Sequence, residues 1–116
     1  MLNLFAIHWN EEELHEYITP LILKGWNVGY EYKNELHAKL IIEKLNPDII
    51  LIYLKVTPLR GMLSAKIIKD TDSIKDIPII FVDGKSKYVK KIQNEYPNEI
   101  YTTSEKLEMT LLGLER

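Results

Sequence analysis

Two side chains of this sequence could exchange protons with a substrate: His8 and Asp83, each of which directly follows a run of apolar residues. If both runs are strands of one parallel sheet, the two side chains reach the same edge and could form an acid–base pair in a crevice. No nucleophile or oxyanion feature accompanies them, which favours the alternative that they fill space or make a structural hydrogen bond. His15 and His37 lie on different predicted helices away from this edge, and we predict no metal site.

Aromatic side chains also stand where apolar runs end. Trp9, Tyr32 and Tyr53 could together line a pocket for a small planar molecule. The alternative is that their rings cap the core, with the hydroxyl of Tyr53 reaching the surface, as a buried tyrosine usually arranges it. Residues 8–11 are His-Trp-Asn-Glu, the opposite of a glycine-rich phosphate loop, so we predict no nucleotide cofactor by that route.

Length and composition restrict the class of protein. A chain of 116 residues is long enough for one hydrophobic core and too short for two domains, so we predict a single domain over residues 1–116. The net charge of −2 gives no electrostatic basis for nucleic acid or a membrane as the main partner. The lack of cysteine excludes disulfides and thiolate metal sites, and the lack of a signal sequence or a long apolar run predicts a cytoplasmic protein.

The element that must position these side chains lies within residues 47–54. Pro47 and Asp48 are followed by the uninterrupted run Ile-Ile-Leu-Ile-Tyr-Leu, which is typical of a strand buried on both faces of a parallel sheet. Such a strand requires a crossover helix on each side of it.

Alternating patterns predict five strand–helix units. The predicted strands are residues 2–7, 26–32, 47–54, 77–82 and 99–102. The predicted helices are residues 10–25, 34–46, 61–69, 87–95 and 104–114, with Asn10, Asn34 and Ser104 as caps. Two neighbouring rows form the predicted buried face of the second helix: Leu36, Ala38, Leu40, Ile41, Ile42 and Leu45. In the last helix the predicted buried residues are Leu107, Leu111 and Leu114.

Five alternating units in so short a chain predict a flavodoxin-like α/β fold, in which helices cover both faces of a five-stranded parallel sheet as three αβα layers. The third, fourth and first strands are the most apolar and should be central, whereas the loosely alternating second strand suits an edge. These features predict the strand order 2-1-3-4-5, with any site beyond the carboxyl ends of the strands.

Three segments resemble the receiver domains of response regulators. They are residues 47–52 (Pro-Asp-Ile-Ile-Leu-Ile), 58–61 (Pro-Leu-Arg-Gly) and 76–82 (Asp-Ile-Pro-Ile-Ile-Phe-Val). The resemblance extends over nearly the whole chain and implies a receiver fold and a signalling role.

The resemblance also implies a phosphorylation site that this chain departs from. Receiver domains hold Mg²⁺ with two acids after the first strand and accept a phosphoryl group on an aspartate that ends the third, because clustered carboxylates bind a hard cation. A Ser or Thr and a Lys complete the set at the ends of the fourth and fifth strands. The corresponding residues here are His8 and Trp9, then Tyr53, then Asp83, and then Thr102 and Thr103. No catalytic residue carries over, and the chain resembles the phosphorylation-independent pseudo-receivers.

The last two predicted helices carry opposite charges. The residues concerned are Lys87, Lys90 and Lys91 on one helix, and Glu105 and Glu108 on the other. Such faces are commonly just solvated. The resemblance implies an alternative, a homodimer through the fourth helix, fifth strand and fifth helix. The charges would then pair across a two-fold axis, and Tyr101 would add an apolar contact.

We therefore predict a non-catalytic, phosphorylation-independent signalling module that acts through protein–protein interaction and uses no cofactor. A small-molecule sensor that uses the aromatic crevice is the alternative. An enzyme that uses His8 and Asp83 is the third hypothesis.

Overall fold

Five strands alternate with five helices in the computed structural model, which describes residues 1–115. The strands are β1 (Asn3–Ile7), β2 (Asn27–Glu31), β3 (Ile49–Tyr53), β4 (Ile79–Val82) and β5 (Ile100–Thr102). The helices are α1 (Glu11–Leu23), α2 (Glu35–Leu45), α3 (Pro58–Lys69), α4 (Ser86–Glu95) and α5 (Leu107–Leu114). Arg116, the last residue of the predicted domain, lies outside the described residues.

All five strands form one parallel sheet in the order β2-β1-β3-β4-β5. This confirms the flavodoxin-like α/β fold and the strand order predicted from the sequence. The central strand is β3, which pairs with β1 through Phe5 opposite Ile50 and with β4 through Ile52 opposite Phe81. The weakly patterned β2 lies at one edge, as predicted.

The two faces of the sheet form two separate cores. Ile50 and Ile52 pack with buried residues of α2, α3 and α4 on one face. Ile49, Leu51 and Tyr53 pack with buried residues of α1 and α5 on the other face. Because consecutive side chains of a strand point to opposite faces, a strand covered on both faces must be apolar at every position.

Asparagine side chains begin the first two helices, as predicted. The side-chain oxygen of Asn10 accepts a hydrogen bond from the N–H of Glu13 at 3.0 Å, and that of Asn34 accepts one from the N–H of His37 at 3.0 Å. Each cap satisfies an amide that has no partner inside the helix. The prediction of Ser104 as the cap of α5 is wrong, because this helix begins at Leu107 after a turn.

The predicted buried face of α2 is partly wrong. Leu36 and Leu40 are each 63% exposed and Leu45 is 57% exposed, whereas Ala38 and Ile42 are buried. A helix turns about 100° per residue, so Leu36 and Leu40 lie almost opposite the row of Ala38 and Ile42. Only one row can face the sheet, and here it is the row that contains the small Ala38. Leu114, predicted to be buried in α5, is 41% exposed.

The third unit also differs in detail from its prediction. Helix α3 begins at Pro58 rather than at residue 61, because a proline in the first turn lacks only an N–H that would have had no partner. Ile74, which lies between α3 and β4 and outside every predicted strand and helix, is buried in the core on the α3 side. Across residues 1–115, no helix is both long and apolar enough to cross a membrane.

Two glycines allow close approach to Leu54, the residue after β3. A Cβ atom at Gly61 would lie 2.5 Å from Cδ2 of Leu54, so α3 can pack this tightly only without a side chain there. Gly84 has a φ of +103°, and its Cβ would lie 2.9 Å from Cβ of Leu54. Positive φ and lack of space together favour glycine at this turn.

Replacing Ile50 by aspartate should unfold the protein. The side chain of Ile50 is 0% exposed, and an unpaired carboxylate at that position costs several kcal/mol, about as much as the whole stability of a domain. Circular dichroism should show loss of cooperative thermal unfolding. Leu40→Asp places the same charge on the exposed face of α2 and should retain cooperative unfolding. If Ile50→Asp melts near the parent temperature, β3 is not the buried central strand.

Candidate functional site

The predicted site residues do lie at the carboxyl edge of the sheet. His8 and Trp9 follow β1, Asp83 follows β4, and Tyr53 and Thr102 end β3 and β5. Trp9 belongs to the core on the α2–α3 side, whereas His8 and Tyr53 stack on the same ring of α1. Asp83 is bonded to the loop after β5, and Thr102 contacts α5. The five residues therefore do not all meet in a single site.

A stack of three rings occupies the α1 side of this edge. The ring of His8 lies 5.7 Å from that of Tyr17 on α1 and 5.6 Å from that of Tyr53. The rings of Tyr17 and Tyr53 are 4.8 Å apart and inclined by 19°. His8 and Tyr53 are each 1% exposed, so this stack, His8–Tyr17–Tyr53, continues the core to the end of the sheet.

The charged group nearest to His8 is Glu13, which the sequence did not point to as a site residue. Oε2 of Glu13 lies 3.4 Å from Nε2 of His8, without the geometry of a hydrogen bond. Burial lowers the pKa of His8 and outweighs the opposite effect of Glu13, while Lys55 lowers it further. The lowered pKa keeps the imidazole ring of His8 neutral at pH 7. The only signal for Glu13 was its position three residues after the cap Asn10, where a helix favours Glu.

The proposed acid–base pair of His8 and Asp83 is not formed. Oδ1 of Asp83 instead accepts a hydrogen bond from the backbone N–H of Ser104 at 2.9 Å, which joins the turn after β4 to the loop after β5. Asp83 has a φ of 61°, a left-handed conformation that aspartate tolerates better than most residues. Its carboxylate is therefore a structural acceptor.

Thr102, which ends β5, and Thr103, which follows it, also make hydrogen bonds within the protein. Oγ1 of Thr102 lies 3.2 Å from Oγ1 of Thr110 on α5. The backbone carbonyl of Thr103 accepts from the N–H of Lys106 at 3.1 Å in the turn that leads into α5. No lysine ends β5 at this edge.

The predicted aromatic crevice of Trp9, Tyr32 and Tyr53 is not formed either. Trp9 belongs to the core on the α2–α3 side, whereas Tyr53 and Tyr32 pack on the α1 side. The guanidinium carbon of Arg60 lies 4.1 Å from the centre of the Trp9 ring, a cation–π contact that covers it. His8 and Trp9, which directly follow β1, continue the alternation of the strand and point to opposite faces of the sheet. This alternation separates Trp9 from the tyrosines.

Glu31 is a buried carboxylate that sequence analysis missed. Its Oε2 accepts a hydrogen bond from the N–H of Lys33 at 2.8 Å, and its Oε1 lies 2.8 Å from Nδ1 of His37.

His15 contacts an aromatic ring. It packs edge-on against Tyr30, with ring centres 5.3 Å apart. Within residues 1–115, no group of three or more His, Cys, Asp or Glu side chains could hold a metal ion.

Burial raises the pKa of the Tyr53 hydroxyl far above its ordinary value, and the nearby Tyr17 and Asp83 raise it further. This hydroxyl is neutral at physiological pH and has no hydrogen-bond partner among the described residues. The predicted arrangement, in which it would reach the surface, is therefore wrong. Tyr53, which the resemblance aligns with the receiver aspartate, is therefore uncharged and 1% exposed.

Four of the six candidate interface residues line two different grooves, and Lys87 and Lys91 line neither. The α4–β5 groove, a surface depression of about 370 Å³, has Phe81, Val89, Lys90 and Tyr101 among its lining residues. The ring of Tyr101 stacks on Phe81 at 5.1 Å, and its hydroxyl donates to the carbonyl of Tyr96 at 2.9 Å. Glu105 and Glu108 line a second groove, between α1 and α5.

Lowering the pH should destabilise the fold through His8. Because the pKa of His8 in the fold lies below 6.5, the unfolded chain binds the proton more tightly. Its contribution to stability is complete above that pH and is lost as the pH falls below it. His8→Phe keeps a ring in the stack, so its free energy of unfolding in urea should fall less between about pH 7.5 and 5.5 than that of the parent.

The control for this experiment is His15→Gln, because the side chain of His15 is exposed. This variant should keep the pH dependence of the parent. Equal pH dependence in the parent and in His8→Phe would contradict the assignment of a lowered pKa to His8.

Comparison with known proteins finds similarity in structure alone. The sequence matches no protein-family model and no curated protein. Among solved structures, a response regulator from Desulfuromonas acetoxidans superimposes with a TM-score of 0.76 and 16% identity, over 98% of this chain and 96% of that one.

Two further structures agree. The chemotaxis protein CheY4 of Vibrio cholerae gives a TM-score of 0.76 at 16% identity, covering 97% of each chain. The N-terminal domain of a response regulator receiver protein from Methanoculleus marisnigri JR1 gives 0.71 at 17% identity, covering 89% of this chain and 82% of that one. This chain therefore has the fold of response-regulator receiver domains.

Proposed function

We propose that this protein is a non-catalytic receiver-like signalling module that acts by binding protein and needs no phosphorylation. One observation carries the proposal. Tyr53, which the resemblance aligns with the phosphoryl-accepting aspartate of receiver domains, is 1% exposed inside the stack with His8 and Tyr17. A neutral phenol is not a carboxylate, so it neither forms an acyl phosphate nor binds a hard cation.

The surrounding carboxylates support the same conclusion. Phosphoryl transfer in this fold depends on a divalent cation that neutralises the developing charge. At this edge Asp83 is bonded to the N–H of Ser104, and Glu31 to the N–H of Lys33. Glu13 faces His8. Asp83 and Glu31 are therefore occupied by backbone amides, and within residues 1–115 the three carboxylates do not form a group that could hold a metal ion.

Phosphoryl donors should leave the protein unchanged. Incubation with acetyl phosphate and Mg²⁺ should give no mass increase, because no carboxylate occupies the acceptor position. Beryllofluoride with Mg²⁺ should leave the amide NMR spectrum unchanged. A phosphorylatable receiver treated in parallel verifies the reagents. The mass increase of one phosphoryl group on an aspartate would disprove phosphorylation independence.

For the protein contact we propose a second copy of this chain, bound through α4, β5 and α5. The α4–β5 groove offers apolar surface from Val89 and the exposed part of Tyr101, beside the charge of Lys90. Lys87, Lys90 and Lys91 are exposed on α4, and Glu105 is exposed before α5. A two-fold axis would bring each basic surface against the acidic surface of the other copy.

Glu108 contributes less to this contact than Glu105. Its Oε1 already accepts a hydrogen bond from Nζ of Lys24 at 2.7 Å within the same chain. Exposed pairs between copies are worth only about 0–1 kcal/mol each, so they would set the register of the dimer while apolar contacts supply affinity. Tyr101 and the methylenes of the lysines are the groups available for this.

Reversing charge on α4 should weaken the dimer. In sedimentation velocity at high micromolar concentration, Lys90→Glu with Lys91→Glu should shift the protein toward monomer through like-charge repulsion. Adding Glu105→Lys should restore association. Lys39→Glu with Lys44→Glu makes the same change of charge on α2 and should have no effect.

Two results would count against this interface. A parent protein that sediments as a clean monomer excludes the dimer. A dimer that is indifferent to both sets of changes uses another surface.

The geometry does not favour a small-molecule sensor or an enzyme at the predicted residues. A sensor that uses Trp9, Tyr32 and Tyr53 lacks a common crevice, because Trp9 lies on the opposite face of the sheet. An enzyme that uses His8 and Asp83 lacks contact between them, because Asp83 binds Ser104.

A further inference from the structure

A groove runs between α1 and α5 on the face of the sheet opposite to α2, α3 and α4. We call it the α1–α5 groove; its volume is about 320 Å³. Tyr17, Leu21, Tyr53 and Leu107 provide ring and aliphatic surface to it. It is therefore apolar in part, and two stacked aromatic rings belong to its lining.

The charged side chains that line this groove are mostly acidic. Glu16 lines it from α1, and Glu105 and Glu108 line it from the α5 side. Lys24 also lines the groove, but its Nζ is bonded to Glu108 at 2.7 Å. Glu16 and Glu105 form no ion pair with any residue from 1 to 115, so the groove carries net negative charge although the whole chain is nearly balanced at −2.

A second feature of the groove is the hydroxyl of Tyr53. This residue is 1% exposed, lines the groove, and has a hydroxyl oxygen without a hydrogen-bond partner within the described part of the chain. A buried polar atom normally has a hydrogen-bond partner, and leaving one without a partner is unfavourable. The oxygen of a phenol carries lone pairs that can accept a hydrogen bond from an N–H donor.

We propose that the α1–α5 groove binds an organic cation, a guanidinium or an alkylammonium group. Glu16 and Glu105 would attract the charge, and the ring of Tyr17 would contact the cation through its face. An N–H of the bound group would donate to the hydroxyl oxygen of Tyr53. The cation would come from a free small molecule or from an arginine or lysine side chain, and both share this chemistry. The inference does not rest on the proposed dimer, although both use Glu105; Tyr53 and Lys24 belong to the cation site alone.

The test uses NMR titration of the full chain with N-acetylarginine amide. The neutral isostere N-acetylcitrulline amide is the matched probe, since it has the same shape without the charge. The arginine probe should shift amides around Tyr17 and Leu107 saturably at millimolar concentration, and the citrulline probe should not. Comparison of butylguanidinium with a short arginine-containing peptide separates the two sources. Equal affinity indicates a free cation, and tighter binding of the peptide indicates a protein side chain.

Three variants test the contacts: two should weaken binding of the arginine probe and one should strengthen it. Tyr53→Phe should weaken binding about three- to tenfold, the usual range for one hydrogen bond. Glu105→Gln should weaken it about two- to fivefold, as expected for an exposed charge. Lys24→Gln should strengthen it to a similar extent, because it releases Glu108 and removes a competing cation.

Asp72→Asn is the control for loss of one negative charge, since this side chain is 99% exposed and outside the groove. It should leave affinity unchanged. Glu105→Gln alters an exposed residue, so it remains informative if Tyr53→Phe fails to fold. Equal shifts from the arginine and citrulline probes, or no saturable shift from either, would overturn the proposal. Weaker binding by Lys24→Gln would also overturn it, since that result indicates an anion site.

Discussion

The burial of β3 on both faces is the constraint on which the rest of this structure depends. Every residue from Ile49 to Tyr53 is buried, so helices must cover both sides of the sheet and the chain must cross over after each strand. The two cores then meet only through the strands, with α2, α3 and α4 on one side and α1 and α5 on the other. Gly61 and Gly84 allow the flanking elements to close against Leu54 at the end of this strand.

The same constraint determines what the carboxyl edge of the sheet can do. A charged group there must have a partner or water, because removing a charge from water without compensation is costly. This chain avoids that cost by continuing the core outward through the His8–Tyr17–Tyr53 stack, whose histidine and tyrosines are uncharged at pH 7. On the other face, Arg60 covers Trp9 and pairs with Glu35 at 2.7 Å.

Carboxylates near strand ends serve the backbone instead. Asp48 accepts from the N–H of Asn3 at 2.7 Å, and Glu99 accepts from the N–H of Ile79 at 2.8 Å. Asp83 and Glu31 do the same at the opposite edge. Amides beyond the hydrogen-bond ladder need acceptors, and these residues supply them. Glu16 and Glu105 have no such role and line the α1–α5 groove.

The sequence by itself determined the order of elements, the central position of β3 and the asparagine caps, because these depend on local runs and on hydrogen bonds between close neighbours in the chain. It could not decide which row of α2 faces the sheet, since Leu36 and Ala38 both belong to apolar rows and only docking selects between them. Nor could it show that His8 faces Glu13, that Asp83 binds Ser104, or that Glu31 is buried. Those contacts join different elements, or turn on burial at a strand end, and so depend on how strands and helices pack in three dimensions. Packing of this kind is a tertiary property, because whether a polar group stays in water or finds a partner is set by what the rest of the chain places around it.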